Sequence, residues 1–200
     1  MGDINTKRVA VVAAILGVML VVLYLGASWQ MERQHAERAV VYQELCDQGS
    51  AENCFEIANV TMRGRGIEQD LARARELFRK SCDMGYIMAC NDLGWSYQHP
   101  MQDGFPQEYD RAAEYYREAC DGDVMMACAN LAGLHFFGHG MPEDQQRAVE
   151  LTEKTCDGDY AEGCYAMGSA YMEGIGGLSP NAAKAADFFE KACELDPDFC

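Results

Sequence analysis

The sequence predicts an all-α protein, a right-handed α/α solenoid of helical hairpins stapled by disulfides, with one N-terminal transmembrane helix. Three observations carry that prediction. Ten cysteines fall into five close pairs: Cys46 and Cys54, Cys82 and Cys90, Cys120 and Cys128, Cys156 and Cys164, Cys193 and Cys200. The first cysteines recur with periods of 36, 38, 36 and 37 residues, a range typical of stacked helical hairpins. Near the start stands an uncharged, mostly apolar run of 19 residues, Val9–Ala27.

That run would span roughly 28 Å as a helix, about one hydrocarbon core. Lys7 and Arg8 precede it, and Tyr24 and Trp29 would lie near the far interface. A cleavable signal peptide has a shorter apolar region, and "LGASWQ" offers only a marginal cleavage site, so an uncleaved signal anchor is favoured. The expected organisation is a cytoplasmic tail at 1–8, a transmembrane helix at 9–28, a linker at 29–37 and a repeat domain at 38–200. Charge alone leaves the orientation nearly undecided, because Arg33 and Arg38 balance Lys7 and Arg8.

Counting from each second cysteine brings the hairpins into register. Three residues on stand Ile57, Leu93, Leu131 and Met167; four on stand Ala58, Gly94, Ala132 and Gly168. Seven on stand Thr61, Tyr97, His135 and Tyr171. These positions share one face of a helix, so they predict the buried stripe of a first helix, with a small residue where a neighbour approaches. Glycine-rich turns follow at "RGRGI" (63–67), "FGHGM" (137–141) and "EGIGG" (173–177), and a longer one at "HPMQDGFP" (99–106). Second helices then run back to the next first cysteine, with Ala74, Ala112, Ala148 and Ala185 eight residues before it and Leu77, Tyr115, Leu151 and Phe188 five before it. Glycines 49, 85, 122 and 158 are expected to end the helices that carry those cysteines.

Disulfides explain the cysteine spacing better than zinc, whose ligand pairs are usually closer, or than reduced structural thiols. Each bond would staple the turn between hairpins; the pair Cys193 and Cys200 closes a shorter loop stiffened by Pro197. Disulfides require an oxidising compartment, which places residues 29–200 on the non-cytosolic side. Those residues carry 31 acidic and 14 basic groups, a net of −17, so nucleic acid is excluded as a partner while basic peptides and proteins remain open.

The stretches "GRGIEQDLARARELFRKSC" (64–82), "ACNDLGWSY" (89–97) and "GCYAMGSAYMEGIGG" (163–177) resemble the Sel-1-like repeat, a relative of the tetratricopeptide repeat. The cysteine-paired form is similar to the Helicobacter cysteine-rich proteins, including their β-lactamase-like members. The resemblance covers about residues 38–200, a half repeat followed by four repeats, and it implies penicillin binding with weak hydrolysis. No catalytic residue carries over. There is no S-x-x-K, no S-D-N, and "KTC" (154–156) stands in place of K-T-G. Four histidines, His35, His99, His135 and His139, form no metal cluster in the sequence, and His135 fills the stripe position held by tyrosine elsewhere. "GIGGL" (174–178) lacks the strand and the G-K-[ST] of a phosphate loop. No cofactor is expected.

One further face stands out. Positions 1, 5 and 8 after the second cysteine lie roughly 115° from the core stripe. They read Phe55, Asn59, Met62; Asn91, Trp95, Gln98; Ala129, Gly133, Phe136; and Tyr165, Ser169, Met172. First helices line the inner curve of such solenoids, so Asn91, Trp95, Gln98, Tyr165 and Met172 are candidates for a ligand groove. The competing reading has these aromatics filling gaps between repeats.

The expected function is therefore a scaffold in the bacterial inner membrane, its repeat domain in the periplasm, binding a protein, a peptide or a peptidoglycan-related partner on the concave face. The alternatives are a weak β-lactam-binding hydrolase, as the resemblance implies, and a mitochondrial intermembrane-space assembly factor.

Overall fold

The computed structural model describes residues 3–99 and 106–200, and for residues 3–18, 21 and 22 the backbone alone. Among the described residues the chain forms nine α-helices and no strand. They are α1 (Asp3–Asp47), α2 (Ala51–Arg63), α3 (Leu71–Asp83), α4 (Ile87–Gln98), α5 (Tyr109–Asp121), α6 (Met125–Phe137), α7 (Gln145–Asp157), α8 (Ala161–Glu173) and α9 (Ala182–Leu195). The chain divides into two compact units, Met1–Ala74 and Arg75–Cys200.

In the first unit, α1 is one continuous helix that includes residues 29–37. No helix among the described residues is long and apolar enough to cross a membrane. The run Val9–Ala27 on which the expected anchor rests falls mostly on positions whose side chains lie outside the described residues. Cys46, in the last turn of α1, is bonded to Cys54 of α2, and both are wholly buried. Ser50 caps α2 by accepting the Asn53 N–H, and Asp70 does the same for α3 through the Arg73 N–H at 2.9 Å. Arg73 in turn donates to Gln43 of α1 at 2.7 Å.

The second unit is solenoid-like, with α4 packed on α5, α6 on α7, and α8 on α9. The core stripe forms as the register predicts: Leu93, Leu131 and Met167 are buried, as are Ala112, Ala148 and Ala185 facing them from the second helices. Stacking such faces removes apolar surface that one hairpin could not cover alone.

All ten cysteines are paired as the spacing suggests: Cys46 with Cys54, Cys82 with Cys90, Cys120 with Cys128, Cys156 with Cys164, and Cys193 with Cys200. Their Cα separations are 4.4–4.9 Å. The first four are core disulfides, whereas Cys193 is half-buried and Cys200 exposed. Cys156 and Cys164 sit in one apolar cluster with Met167 and Ala192.

The helices α4, α6 and α8 begin without a side-chain cap, and the stapled turn supplies the order instead. In each turn the N–H four residues after the first cysteine bonds the carbonyl just before it: Tyr86 to Ser81, Val124 to Ala119, Tyr160 to Thr155. This six-to-one bond is the Schellman closure, and it needs a left-handed residue three places after the cysteine. Gly49, after Cys46, and Gly85, after Cys82, fill that place with φ of 97° and 88°. In the next two turns the left-handed residues are Asp123 (φ 61°) and Asp159 (φ 56°).

Gly122 and Gly158 do cap the ends of α5 and α7 as expected, but the left-handed residue of each turn is the aspartate that follows. The φ values of the two glycines are −89° and −83°, open to any residue. What excludes a side chain there is packing. A Cβ on Gly122 would lie 2.5 Å from Ile87 Cγ1, and one on Gly158 the same distance from Met125 Sδ.

The glycine turns at 138–140 and 174–176 put both glycines in the left-handed region, at φ 67° and 71°, then 74° and 65°. The longer turn expected at 99–106 lies mostly outside the described residues.

Candidate functional site

The five candidate residues are placed on two first helices, three on α4 and two on α8. Asn91 is buried, and its Oδ1 accepts from Asn130 Nδ2 at 3.3 Å, linking α4 to α6. Gln98 is half-buried, and its Oε1 accepts the Tyr116 hydroxyl at 2.7 Å. Trp95 is 43% exposed and stacks on His99 at 4.5 Å. Tyr165 and Met172 are exposed, and Tyr165 leans on Phe189 and Phe199 at 5.1 and 5.5 Å between ring centres. The two amides are therefore engaged with their neighbours, while the indole, the phenol and the thioether present contact area to solvent.

The same register does produce a groove, one block further on than Trp95. It holds about 420 Å³ and runs between α6 and α8, with α7 as its floor. Ala129, Gly133 and Phe136 of α6 and Tyr165 and Ser169 of α8 line it, all on the second face defined by the sequence. Thr152 and Val149 close it from α7. Most of its surface is apolar, and Glu162 is its acidic lining residue. Beside it Phe137 is 65% exposed. Sequence reasoning made Tyr165 a groove candidate and placed Ala129, Gly133 and Phe136 on the face without choosing them, because Ala129 and Gly133 carry no functional group to notice.

The electrostatic setting is acidic. Residues 75–200 hold 23 acidic and 9 basic side chains, a net of −14. Three of the cations gather on one ring: Arg79 Nη2 donates to the Tyr97 hydroxyl at 2.6 Å, and Arg75 and Arg111 lie over its face at 4.6 and 5.4 Å. Arg111 also pairs with Glu108 at 3.1 Å.

Two serines of the first helices are turned back into their own helices. The Ser96 and Ser169 hydroxyls donate to the carbonyls of Leu93 and Tyr165 on their own helices. His135 lies in α6 and His139 in the turn beyond it, where His139 stacks on Tyr109 at 4.5 Å. Burial lowers the His135 pKa, and its Nδ1 has no hydrogen-bond partner among the described residues. The one grouping of possible metal ligands among the described residues is Cys82, Cys90 and Glu118, and its two sulfurs are joined to each other.

The sequence matches the Sel1 repeat over residues 54–86, 87–124, 126–160 and 161–197. The chain belongs to the Sel1 repeat family. Among solved structures it is similar to a protective antigen of uropathogenic Escherichia coli displaying an SLR fold, with a TM-score of 0.74 and 26% identity. That match covers 79% of this chain and 33% of the antigen. A Sel1 repeat protein from Oxalobacter formigenes matches at TM-score 0.74 and 22% identity over 81% of this chain and 65% of its own, and bears on the fold alone. This chain thus spans a third of the first protein and under two thirds of the second. Helicobacter pylori cysteine rich protein B matches at TM-score 0.51 and 26% identity, over 66% of this chain and 93% of its own. No curated protein matches the chain.

The Sel1 boundaries give the disulfides their meaning. Cys82 belongs to the first repeat and Cys90 to the second, Cys120 to the second and Cys128 to the third, Cys156 to the third and Cys164 to the fourth. Each of these staples joins neighbouring Sel1 repeats. The outer two pairs differ. Cys46 precedes the first matched repeat and Cys54 opens it, so that bond ties the end of α1 to α2, the first helix of that repeat. Cys193 lies in the fourth repeat and Cys200 beyond it. The groove takes its walls from the first helices of repeats three and four.

Proposed function

We propose that this protein is a membrane-anchored Sel1 scaffold that captures a protein partner in the periplasm of a bacterium. The observation that carries the reading is the apolar groove on the first-helix face of an otherwise strongly acidic unit. Sel1 repeats, like their tetratricopeptide relatives, present stacked helices as an extended contact surface, and a solenoid of right-handed twist would put the first helices on its concave side. Val9–Ala27 serves as the anchor in the inner membrane, and five disulfides suit the oxidising space beyond it. Trp95, Tyr165 and Met172 supply exposed contact area on the same face, and aromatic side chains of this kind dominate binding hot spots.

The test is a photocrosslinking residue placed in turn at 95, 165 and 172 of the full-length chain in membranes. A discrete protein adduct at these positions, with none from a crosslinker at Glu76 on α3, is expected. Trp95→Ala is expected to weaken capture by about 2 kcal/mol if the indole is a hot spot, with the helical signal unchanged. Absence of any adduct, or an alkaline phosphatase fusion after Cys200 that stays inactive, would overturn the reading.

A further inference from the structure

The third Sel1 repeat departs from its neighbours at a place where they seat a ring. Four residues before the first cysteine, the second helices carry Phe78, Tyr116, Thr152 and Phe189. The position that faces this side chain from the first helix of the same repeat is Gly94, Ala132 or Gly168 in repeats two to four. Two of these pairs are closed by close contact. A Cβ on Gly94 would lie 2.8 Å from Tyr116 Cδ1, and one on Gly168 2.5 Å from Phe189 Cε1. Tyr116 is wholly buried, so its ring fills the space between its hairpin's helices.

Repeat three has neither the ring nor the glycine. Thr152 folds back, its hydroxyl donating to Ala148 O of its own helix at 2.8 Å, and Ala132 stands opposite. The space a ring occupies in the flanking repeats is open here and forms part of the 420 Å³ groove. Next to it a Cβ on Gly133 would meet nothing within 4 Å.

We propose that this vacancy is a binding slot for an aromatic side chain of a partner polypeptide, with basic residues bracketing that side chain. The inference rests on the scaffold reading and narrows it to one site and one chemistry. The slot matches a ring because the chain itself puts Tyr116 and Phe189 in the corresponding places. Phe137 and Tyr165 flank the groove with exposed ring surface for edge or stacked contacts. The basic bracket follows from charge: Glu162 lines the groove, and the unit around it carries 23 acidic against 9 basic groups.

The experiment uses the full chain in detergent and a fluorescent peptide probe, Lys-Lys-Trp-Lys-Lys with blocked ends, alongside the same peptide with alanine for tryptophan. The tryptophan peptide should bind at least tenfold more tightly than the alanine one. Thr152→Phe, which restores the chain's own ring, should weaken the tryptophan peptide at least tenfold and raise the melting temperature, while Thr152→Ser changes neither. Should Thr152→Phe fail to fold, Gly133→Leu enters open space and should block the slot with the same loss. The proposal is overturned if both peptides bind alike, if the tryptophan peptide does not bind, or if the blocked variants bind it as the wild type does. It is also overturned if the chain dimerises through this face and Thr152→Phe breaks the dimer, since the occupant is then a second copy. Crosslinked adducts that persist in Thr152→Phe would remove the slot and leave the scaffold standing; loss of adducts in the wild type would remove the scaffold.

Discussion

The turn after α3 and the turn after α5 close the same Schellman bond and hold the left-handed residue by different means. Gly85 adopts φ 88° without a side chain to resist it. Asp123 adopts φ 61° and meets a lysine: Lys154 Nζ donates to Cys120 O at 2.8 Å and pairs with Asp123 at 3.1 Å. The turn after α7 repeats the second solution, with Lys191 on Cys156 O at 2.8 Å and on Asp159 at 3.2 Å. Each lysine stands two residues before the next first cysteine. At that register the residue following the Gly85 turn is Glu118. Both turns with a non-glycine residue in the left-handed region have a lysine at that register, and Lys80 occupies it after the Gly49 turn as well. In the two aspartate turns the left-handed residue and a lysine some thirty positions further along the chain meet in space, and the cation faces the carbonyl end of the helix.

Removing a staple is the largest way to break this comparison. Nine-residue loops are worth about 2.6 kcal/mol each in the chain-entropy model. Cys82→Ser with Cys90→Ser should lose most of that in urea unfolding. Cys156→Ser with Cys164→Ser should lose less, because Lys191 still ties α9 to the turn. Equal losses would mean the lysine contributes nothing to turn order.

Alanine at the glycines comes next. Gly122→Ala drives a Cβ into Ile87 and should cost about 1–3 kcal/mol by overpacking. Gly158→Ala should cost less, because Met125 is flexible and can move aside. Gly85→Ala meets no neighbour and should cost about 1 kcal/mol through its backbone alone. Thermal melts of the three variants would rank these causes.

A smaller effect sharpens the comparison. Gly85→Asp should destabilise by about 1 kcal/mol, and adding Glu118→Lys should return about 0.5 kcal/mol, the usual worth of an exposed pair. The double-mutant cycle reads that coupling directly, and a coupling of zero would sever the lysine from the aspartate.

The smallest expected effect comes from the core stripe. His135 has a lowered pKa because burial opposes its charge. A depressed histidine contributes stability above its ordinary value near 6.5, and that contribution is lost as pH falls from there toward the folded value. The melting temperature should therefore drop between pH 7.5 and 5.5, and His135→Tyr, the residue type of Tyr97 and Tyr171, should flatten that slope.

How much of this could be read from the sequence depends on whether a position repeats. The cysteine pairs from Cys46 and Cys54 onward, and the stripe at Leu93, Leu131 and Met167, recur block after block, so periodicity alone placed them in the core. The pair Cys193 and Cys200 is the exception, half-buried and exposed on its shorter loop. The helix-ending glycines were legible in all four turns, but in two of them the reason was not, because Gly122 and Gly158 cap their helices one place before the left-handed residue. Their reason for being glycine is the Ile87 or Met125 side chain of a neighbouring helix, which no local pattern contains. Asn91 and Gln98 share the face of Trp95, yet their amides are taken up by Asn130 and Tyr116. Register gives direction from the helix axis and says nothing of what stands opposite. Thr152 was legible as an exception to Phe78, Tyr116 and Phe189, but only the groove gives the exception a volume.

The staples that join adjacent repeats also decide what a cut does to this molecule. The turn between Cys82 and Cys90 exposes Met84 and Met88 to solvent, as the turn between Cys120 and Cys128 exposes Met126. A protease that opens a peptide bond inside such a turn leaves its two ends held by the sulfur bridge across it. The nicked protein keeps its mass, and its fragments separate only when a reductant follows the protease. In a compartment rich in hydrolases and poor in thiols, the exposed turns of this solenoid are places where cleavage does not mean release.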